Sequence, residues 1–291
     1  MFCMKTIVSQ INSLVQSYPG AKETLDSIAK IHQLVDSLKI AQFFESPSWF
    51  YLCKKPQPLF LTADLIATWI QHVSHGTRVR LRSLEAGFLS EMAAGRFMSA
   101  MVLARSHMES AGLAAFTEQE LLKASDTGDW DILKPIIQQI LFGTSFRFEK
   151  KLAGLQDELP LETTLPIRPK DFLLAMDNYL DSTGSQNSQL RGIYALLCEY
   201  AHPNIGGNKA FEKIITHEDG VGWTHCYGHM ENIDDNDIVA ATKILLVNMK
   251  IGYANALLLV TGEIEELPEG FSFHKPPVGV GKAIWDEILQ A

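Results

Sequence analysis

The 291-residue chain is poor in cysteine, and the spacing of its few cysteines argues against the sites that cysteines most often build. Its four cysteines are far apart and form no C-x-x-C pair; they are Cys3, Cys53, Cys198 and Cys226. We therefore expect neither a disulfide framework nor a structural zinc site. Reduced thiols are typical of a cytoplasmic protein, which is the location that we expect.

Long apolar runs and an excess of positive charge are also missing. No stretch reaches the roughly 18 uninterrupted apolar residues of a membrane span, and the closest segment, 238–260, contains Lys243 and Lys250. The first residues lack the basic start, apolar run and cleavage site of a signal peptide. With a net charge of −9, the chain also lacks the broad basic surface that nonspecific nucleic-acid binding needs. We expect no membrane partner and find no pattern that indicates a small-molecule ligand.

What the sequence does contain is apolar residues at helical spacing over most of its length. This periodicity predicts an all-α fold, with a helical bundle at 84–262 and an N-terminal helical extension at 1–83. A C-terminal tail with a short helix is predicted at 263–291. The glycines and β-branched residues of 209–227 predict a small β-hairpin beside these helices.

Prolines, glycines and capping residues predict where the helices begin and end. Pro19-Gly20 separates two helices, and another begins near Thr62 and ends at about His72. A long helix at 84–116 is predicted to stop where Thr117-Glu118-Gln119-Glu120 forms a capping box and starts the next helix. Further helices are predicted at 130–142, where Pro135 implies a kink, and at 144–153, 169–181, 186–202 and 234–261.

Three arginines alternate in the segment 73–83: Arg78, Arg80 and Arg82. In an extended chain alternate side chains share a face, so this would be the one local basic cluster of the sequence. Two interpretations remain open, a solvated face and a contact with an anion or phosphate.

Two opposite charges interrupt the apolar stripe of the helix at 84–116. Arg105 and Glu109 are four residues apart and therefore lie on the same helical face as Met101, Met108 and Leu113. A buried charge is unfavourable unless it is paired, so we expect the two to pair with each other or with polar groups of a neighbouring helix. They form either a structural ion pair or the polar floor of a cleft.

The helix at 186–202 ends in the sequence Glu199-Tyr200-Ala201-His202-Pro203-Asn204. Helical spacing places Arg191, Cys198 and His202 in one row beside the apolar stripe, whereas Glu199 points nearly the opposite way. His202 and Asn204 could simply finish the helix and fix the next loop. The alternative is that His202 acts as a general acid or base, or binds phosphate.

Together, Arg105-Ser106-x-x-Glu109 and the later Tyr194-x-x-Leu197-x-Glu199-Tyr200-x-His202-Pro203-Asn204 resemble prokaryotic proteins of the HEPN-like helical class. The resemblance covers roughly residues 84–262. It implies a bundle of four or five helices, pairing as a homodimer, and for several relatives RNase activity in toxin–antitoxin or phage-defence systems. RNA is then the implied partner.

This resemblance makes Arg105, Glu109 and His202 the candidate catalytic residues. The candidate binding residues are Arg191, Tyr194, Glu199 and Asn204. One feature departs from the catalytic pattern of the class, an Arg and a His four to six residues apart on one helix. Here Arg191 and His202 are eleven residues apart, or about 16 Å along a helix axis, so one chain cannot bring both to the same phosphate.

A second group of ligand-type side chains is His217, Glu218 and Asp219 with His225 and His229. The i, i+4 spacing of the last two histidines would present both to one metal only in a helix, and the glycines nearby argue against a helix. We therefore predict no metal site. No P-loop, G-x-S-x-G or dinucleotide motif occurs, so no cofactor is predicted.

Two classes of function follow from these patterns. One is a noncatalytic helical scaffold or interaction module, in which Arg105, Glu109 and His202 are structural. The other is a HEPN-like RNase with these three residues near its active site. The acidity of the chain and the missing Arg–His spacing favour the first class.

Overall fold

The computed structural model describes residues 4–37, 63–142, 165–182, 189–202, 212–218, 220–227 and 234–261. Within these ranges the chain is predominantly α-helical, as the periodicity predicts. None of the helices in these ranges has the length and apolar character needed to cross a lipid bilayer. The predicted helix at 144–153 and the predicted tail at 263–291 lie outside the described residues.

The helices, numbered here in chain order, are α1 (Met4–Ser17), α2 (Lys22–Ser37), α3 (Ala63–Ala93), α4 (Phe97–Thr127), α5 (Leu133–Phe142), α6 (Pro169–Ser182), α7 (Leu190–Ala201) and α8 (Asp235–Thr261). Two antiparallel strands, β1 (Glu212–Thr216) and β2 (Trp223–Tyr227), confirm the hairpin predicted at 209–227. The break at Pro19-Gly20 is also confirmed, because a 3-10 turn at Pro19–Ala21 separates α1 from α2.

Helix α3 includes the segment 73–83, where the alternating arginines would share a face only in an extended chain. It is continuous from Ala63 to Ala93, so the predicted domain boundary after residue 83 falls inside it. The side chains that α3 buries recur at helical intervals from the helix predicted to end near His72 into the helix predicted to begin at 84. They are Trp69, Ile70, Val73, Thr77, Leu81, Phe88, Leu89 and Met92. An unbroken buried stripe of this kind favours one helix over two.

The boundaries of α4 also differ from the prediction. The helix predicted at 84–116 is interrupted at Gly95, whose φ of +70° ends α3, and α4 begins at Phe97. No helix starts at Thr117, because its side chain donates to the carbonyl of Leu113 (2.8 Å) inside α4. Helix α4 continues to Thr127, and Gly128 ends it with a φ of +66°.

Pro135 causes no kink, because it lies in the first turn of α5. The first amides of a helix have no acceptor within the helix, so a proline is tolerated there. Asp129 caps the preceding 3-10 turn by accepting from the amide of Asp131. At α8 the side chain of Asp234 accepts from the amide of Asp237 (2.8 Å), which confirms an aspartate cap at its start.

Helix α4 is the central helix of the bundle and packs against α3, α6, α7 and α8. Helix α8 lies close to α4 and α3 because a small residue of α8 faces them. A Cβ atom added to Gly252 of α8 would lie 2.7 Å from Leu81 Cδ1 and 3.0 Å from the Cβ of Ala111. A side chain at position 252 would therefore push α8 away from α3 and α4.

The two N-terminal helices belong to the same core as the rest of the bundle. Helix α1 packs on α3, and α2 packs on α8. Their buried side chains lie in one cluster with those of α3, α4 and α8; they include Ile7, Ile11, Leu14, Leu25, Ile28 and Ile31. A smaller cluster, around Trp69, Leu121 and Ile137, fills the space between one end of the α3–α4 pair and α5.

A buried carboxylate joins four of these helices. Glu85 of α3 has no exposed surface. Its Oε1 accepts from Nε2 of His107 on α4 (2.9 Å), and its Oε2 accepts from the hydroxyl of Tyr253 on α8 (2.8 Å). Nε2 of His32 on α2 lies 3.3 Å from the same Oε2. A buried charge is stable only when it is surrounded in this way.

Burial and a neighbouring positive charge favour the neutral form of His32. Arg82, one turn before Glu85, donates to Nδ1 of His32 and to the carboxylate of Asp36. Because a guanidinium can only donate, Nδ1 must be the unprotonated nitrogen, which leaves the proton on Nε2 facing Glu85. Burial lowers the pKa of His32 to about 4, and Arg82 and His107 contribute to that decrease against the opposing effect of Glu85.

Removing the charge of Glu85 should destabilise the whole bundle. In Glu85→Gln the amide nitrogen cannot accept, so one of the hydrogen bonds from His107 and Tyr253 is lost. About 3 kcal/mol of unfolding free energy should be lost, as measured by urea denaturation. Glu91→Gln is the matched control, because Glu91 pairs with Arg96 at the surface and such pairs contribute about 0–1 kcal/mol. Equal effects of the two variants would contradict the role given to Glu85.

The protonation of His32 should make stability fall in mild acid. Unfolded His32 takes up a proton near its ordinary pKa of 6.5, whereas the folded group does so only at about 4. Stability should therefore be lost as the pH falls from about 6.5 to about 4, by roughly 3 kcal/mol. Urea unfolding at a series of pH values measures this. His32→Gln should flatten the slope, and the exposed His202→Gln should leave it unchanged.

Candidate functional site

A cleft of about 910 Å³ opens beside the centre of α4. Its walls come from α3, α4, α5, the segment before α6 and the first turns of α6. The lining residues that carry the arguments below are His72, Gly76, Arg80, Arg105, Glu109 and Phe172. Clefts of this size are typical of sites for small molecules.

One wall of the cleft is polar because α3 is helical through residues 72–80. His72, Gly76 and Arg80 are spaced four residues apart, so they lie on one face of α3 and all line the cleft. Arg78 and Arg82, also four apart, lie on a different face. Because the segment is helical and not extended, the three arginines do not share a face: Arg82 contacts His32, and Arg78 lies within hydrogen-bond distance of His75 (3.2 Å).

The opposite part of the cleft is apolar. Leu113, Ile140, Ile167 and Phe172 line it. Phe172 is held against α4 by an edge-to-face contact with Phe116, with ring centroids 6.0 Å apart. A cleft with one apolar part and a few polar groups can hold a ligand and also orient it.

Arg105 and Glu109 meet Tyr194 of α7 at the edge of this cleft. Nε of Arg105 lies 3.3 Å from Oε1 of Glu109, and the hydroxyl of Tyr194 donates to the same oxygen (2.7 Å). The guanidinium also lies over the Tyr194 ring, 5.5 Å from its centroid. The expected pairing of Arg105 with Glu109 is therefore confirmed, and Tyr194 is the polar group of a neighbouring helix.

This cluster is partly solvated. The side chains of Arg105 and Glu109 are 27% and 30% exposed, so the pair is reachable from the cleft. Burial, together with the hydrogen bond to Glu109, raises the pKa of Tyr194 to about 12. Its hydroxyl therefore remains a donor at neutral pH and holds α7 against α4.

His202 lies away from this cluster. It is exposed at the end of α7. Helix α7 is antiparallel to α4, since Tyr194 contacts Glu109 while Tyr200 contacts Phe97 with ring centroids 5.6 Å apart. His202 is thus about 12 Å from Tyr194 along the axis of α7, and it is not among the residues that line the cleft.

The other residues proposed from the sequence are spread over the surface of α7. Arg191 pairs with Asp177 of α6, with 3.4 Å between Nε and Oδ2. Glu199 is exposed on α7, and Asn204 lies outside the described residues. Cys198 is partly buried on α7. Of the candidate site residues, the structure brings together Arg105, Glu109 and Tyr194.

The histidine group of the hairpin region is placed only in part. His217 is exposed at the turn, where its amide donates to the carbonyl of Gly222 (2.8 Å). His225 belongs to β2, and His229 lies outside the described residues. Within the described part of the chain, no group of three or more acidic, histidine or cysteine side chains could hold a metal ion.

The sequence indicated a possible anion contact for Arg80 together with Arg78 and Arg82, but sequence reasoning did not group Arg80 with His72 in one site. The signal that could have found them is the i, i+4, i+8 spacing of His72, Gly76 and Arg80. The alternation of Arg78, Arg80 and Arg82 was considered only for the case of an extended segment, and an extended chain would not have continued the apolar stripe of Trp69.

Comparisons of the chain with protein-family models, with curated proteins and with solved structures gave no match.

The contact between α4 and α7 can be tested at Tyr194. Tyr194→Phe keeps the ring under Arg105 but removes the hydroxyl that donates to Glu109, so it should lower the unfolding free energy by about 1 kcal/mol. Combining it with Glu109→Ala gives a double-mutant cycle in urea denaturation. The two losses should be less than additive, and strict additivity would show that the hydroxyl and the carboxylate do not interact.

Proposed function

We propose that this chain is a noncatalytic helical interaction module, in which Arg105 and Glu109 shape a binding cleft and perform no chemistry. The observation that carries the proposal is that Arg105 is already engaged within the chain, by Glu109 and by the ring of Tyr194. An arginine that is to stabilise a phosphate needs donors aimed at that phosphate. Here its neighbours are a carboxylate and a tyrosine of the same chain, which fasten α7 to α4.

The position of His202 and the charge of the chain support the same proposal. His202 is exposed about 12 Å from Tyr194 along α7. A general acid or base has to lie within hydrogen-bond reach of the reacting group. The net charge of −9 also disfavours the electrostatic attraction on which most RNA binding depends.

A HEPN-like RNase, acting as a homodimer on RNA, is the second candidate, and one observation favours it. His72, Arg80 and Arg105 line the same cleft, which gives two phosphate-binding side chains and one imidazole. Burial lowers the pKa of His72, so the imidazole is neutral at pH 7 and would have to start as the base. In this case His72 would take the role that the sequence suggested for His202.

An RNA-cleavage assay separates the two candidates. Purified protein is incubated with single-stranded and hairpin RNA, and the products are resolved on denaturing gels. We expect no cleavage above that of a protein-free control. Cleavage that is lost in Arg105→Gln and His72→Gln but kept in Arg96→Gln would overturn the proposal in favour of the RNase. Arg96 is a suitable control because it pairs with Glu91 at the surface.

A further inference from the structure

We propose that the cleft beside α4 binds a small organic anion that has an apolar body. Its charged head would lie at Arg80, and its body against Leu113, Ile140 and Phe172. This inference rests on the proposed interaction module and names the class of ligand that the module takes.

One of the two arginines that line the cleft is available to bind a charged ligand. Of the two arginines that line it, Arg105 is neutralised by Glu109 at 3.3 Å. Arg80 is exposed, and among the described residues no acidic side chain forms an ion pair with it. Its planar guanidinium can bind a carboxylate or a phosphate through two parallel hydrogen bonds.

The apolar side of the cleft requires a ligand with more than a charged group. Leu113 and Ile140 are partly buried against the small core cluster, and Phe172 is fixed by its contact with Phe116. These side chains leave a surface on which an alkyl or aryl group can be removed from water. An inorganic anion would leave this surface unused.

The same features argue against a polynucleotide in the cleft. A nucleic acid carries a charge on every phosphate, and its affinity depends on neutralising several of them. One available arginine and an overall charge of −9 fit a ligand with a single negative charge better than a polynucleotide. A small molecule with one anionic head is therefore the ligand that this cleft favours.

Gly76 keeps the cleft open on the α3 side. It lies between His72 and Arg80 on the lining face, and a Cβ atom added to it would meet nothing within 4 Å. A large side chain could therefore be introduced here without a clash in the protein, and it would occupy space in the cleft. Gly192 on α7 has the same open surroundings but does not line the cleft.

Octanoate is the probe that tests the proposal, with octylammonium and octanol as matched cationic and neutral compounds. Isothermal titration calorimetry on the full chain should detect binding of octanoate and at least about tenfold weaker binding of the other two. Arg80→Gln should weaken octanoate binding by about tenfold, and Gly76→Trp should abolish it. Arg96→Gln and Gly192→Trp are the matched controls and should bind like the unaltered chain.

Three results would overturn the inference: no octanoate binding at millimolar concentration, equal binding of octylammonium, or equal loss of binding in Gly192→Trp and Gly76→Trp. Thermal unfolding of each variant shows that it is folded before it is titrated. The RNA-cleavage assay is independent of these titrations. A failure to bind octanoate would therefore remove the ligand class and leave the noncatalytic proposal standing.

Discussion

The rest of the structure depends on the burial of one carboxylate. Glu85 loses all contact with water, which is unfavourable unless every lone pair finds a partner. Its partners His32, His107 and Tyr253 come from three other helices. The carboxylate therefore specifies how α2, α4 and α8 are arranged around α3, whereas apolar packing alone would tolerate small rotations of each helix.

One face of α3 is buried in the core, and another borders the cleft. The face that carries Glu85 is closed, and inside the core its carboxylate accepts hydrogen bonds from His107 and Tyr253. The face that carries His72, Gly76 and Arg80 borders a cleft, and there Arg105 and Glu109 keep about a quarter to a third of their surface exposed. A polar group that is already satisfied in a dry core contributes specificity of fold, while one at the edge of a cleft can also contact a ligand.

Much of the fold could be predicted from the sequence because its signals are local. Pro19-Gly20, the aspartate before α8 and the helical spacing of apolar residues predict helices and breaks that the structure contains. The prediction failed where a local signal had two explanations. The capping box at Thr117 fits a local rule for a helix start, but the buried side chain of Thr117 donates inside α4, which stays helical through this position.

The sequence by itself determined that Arg105 and Glu109 share a helical face and need a partner, because helical geometry relates residues four apart. It could not determine that the partner is Tyr194, that His202 lies at the far end of α7, or that His72 and Arg80 border the same cleft. These facts depend on which helices are neighbours and on their direction, and only the packing of α7 and α3 on α4 decides that. The same holds for Glu85, whose partners His32 and Tyr253 are 53 and 168 residues away in the chain.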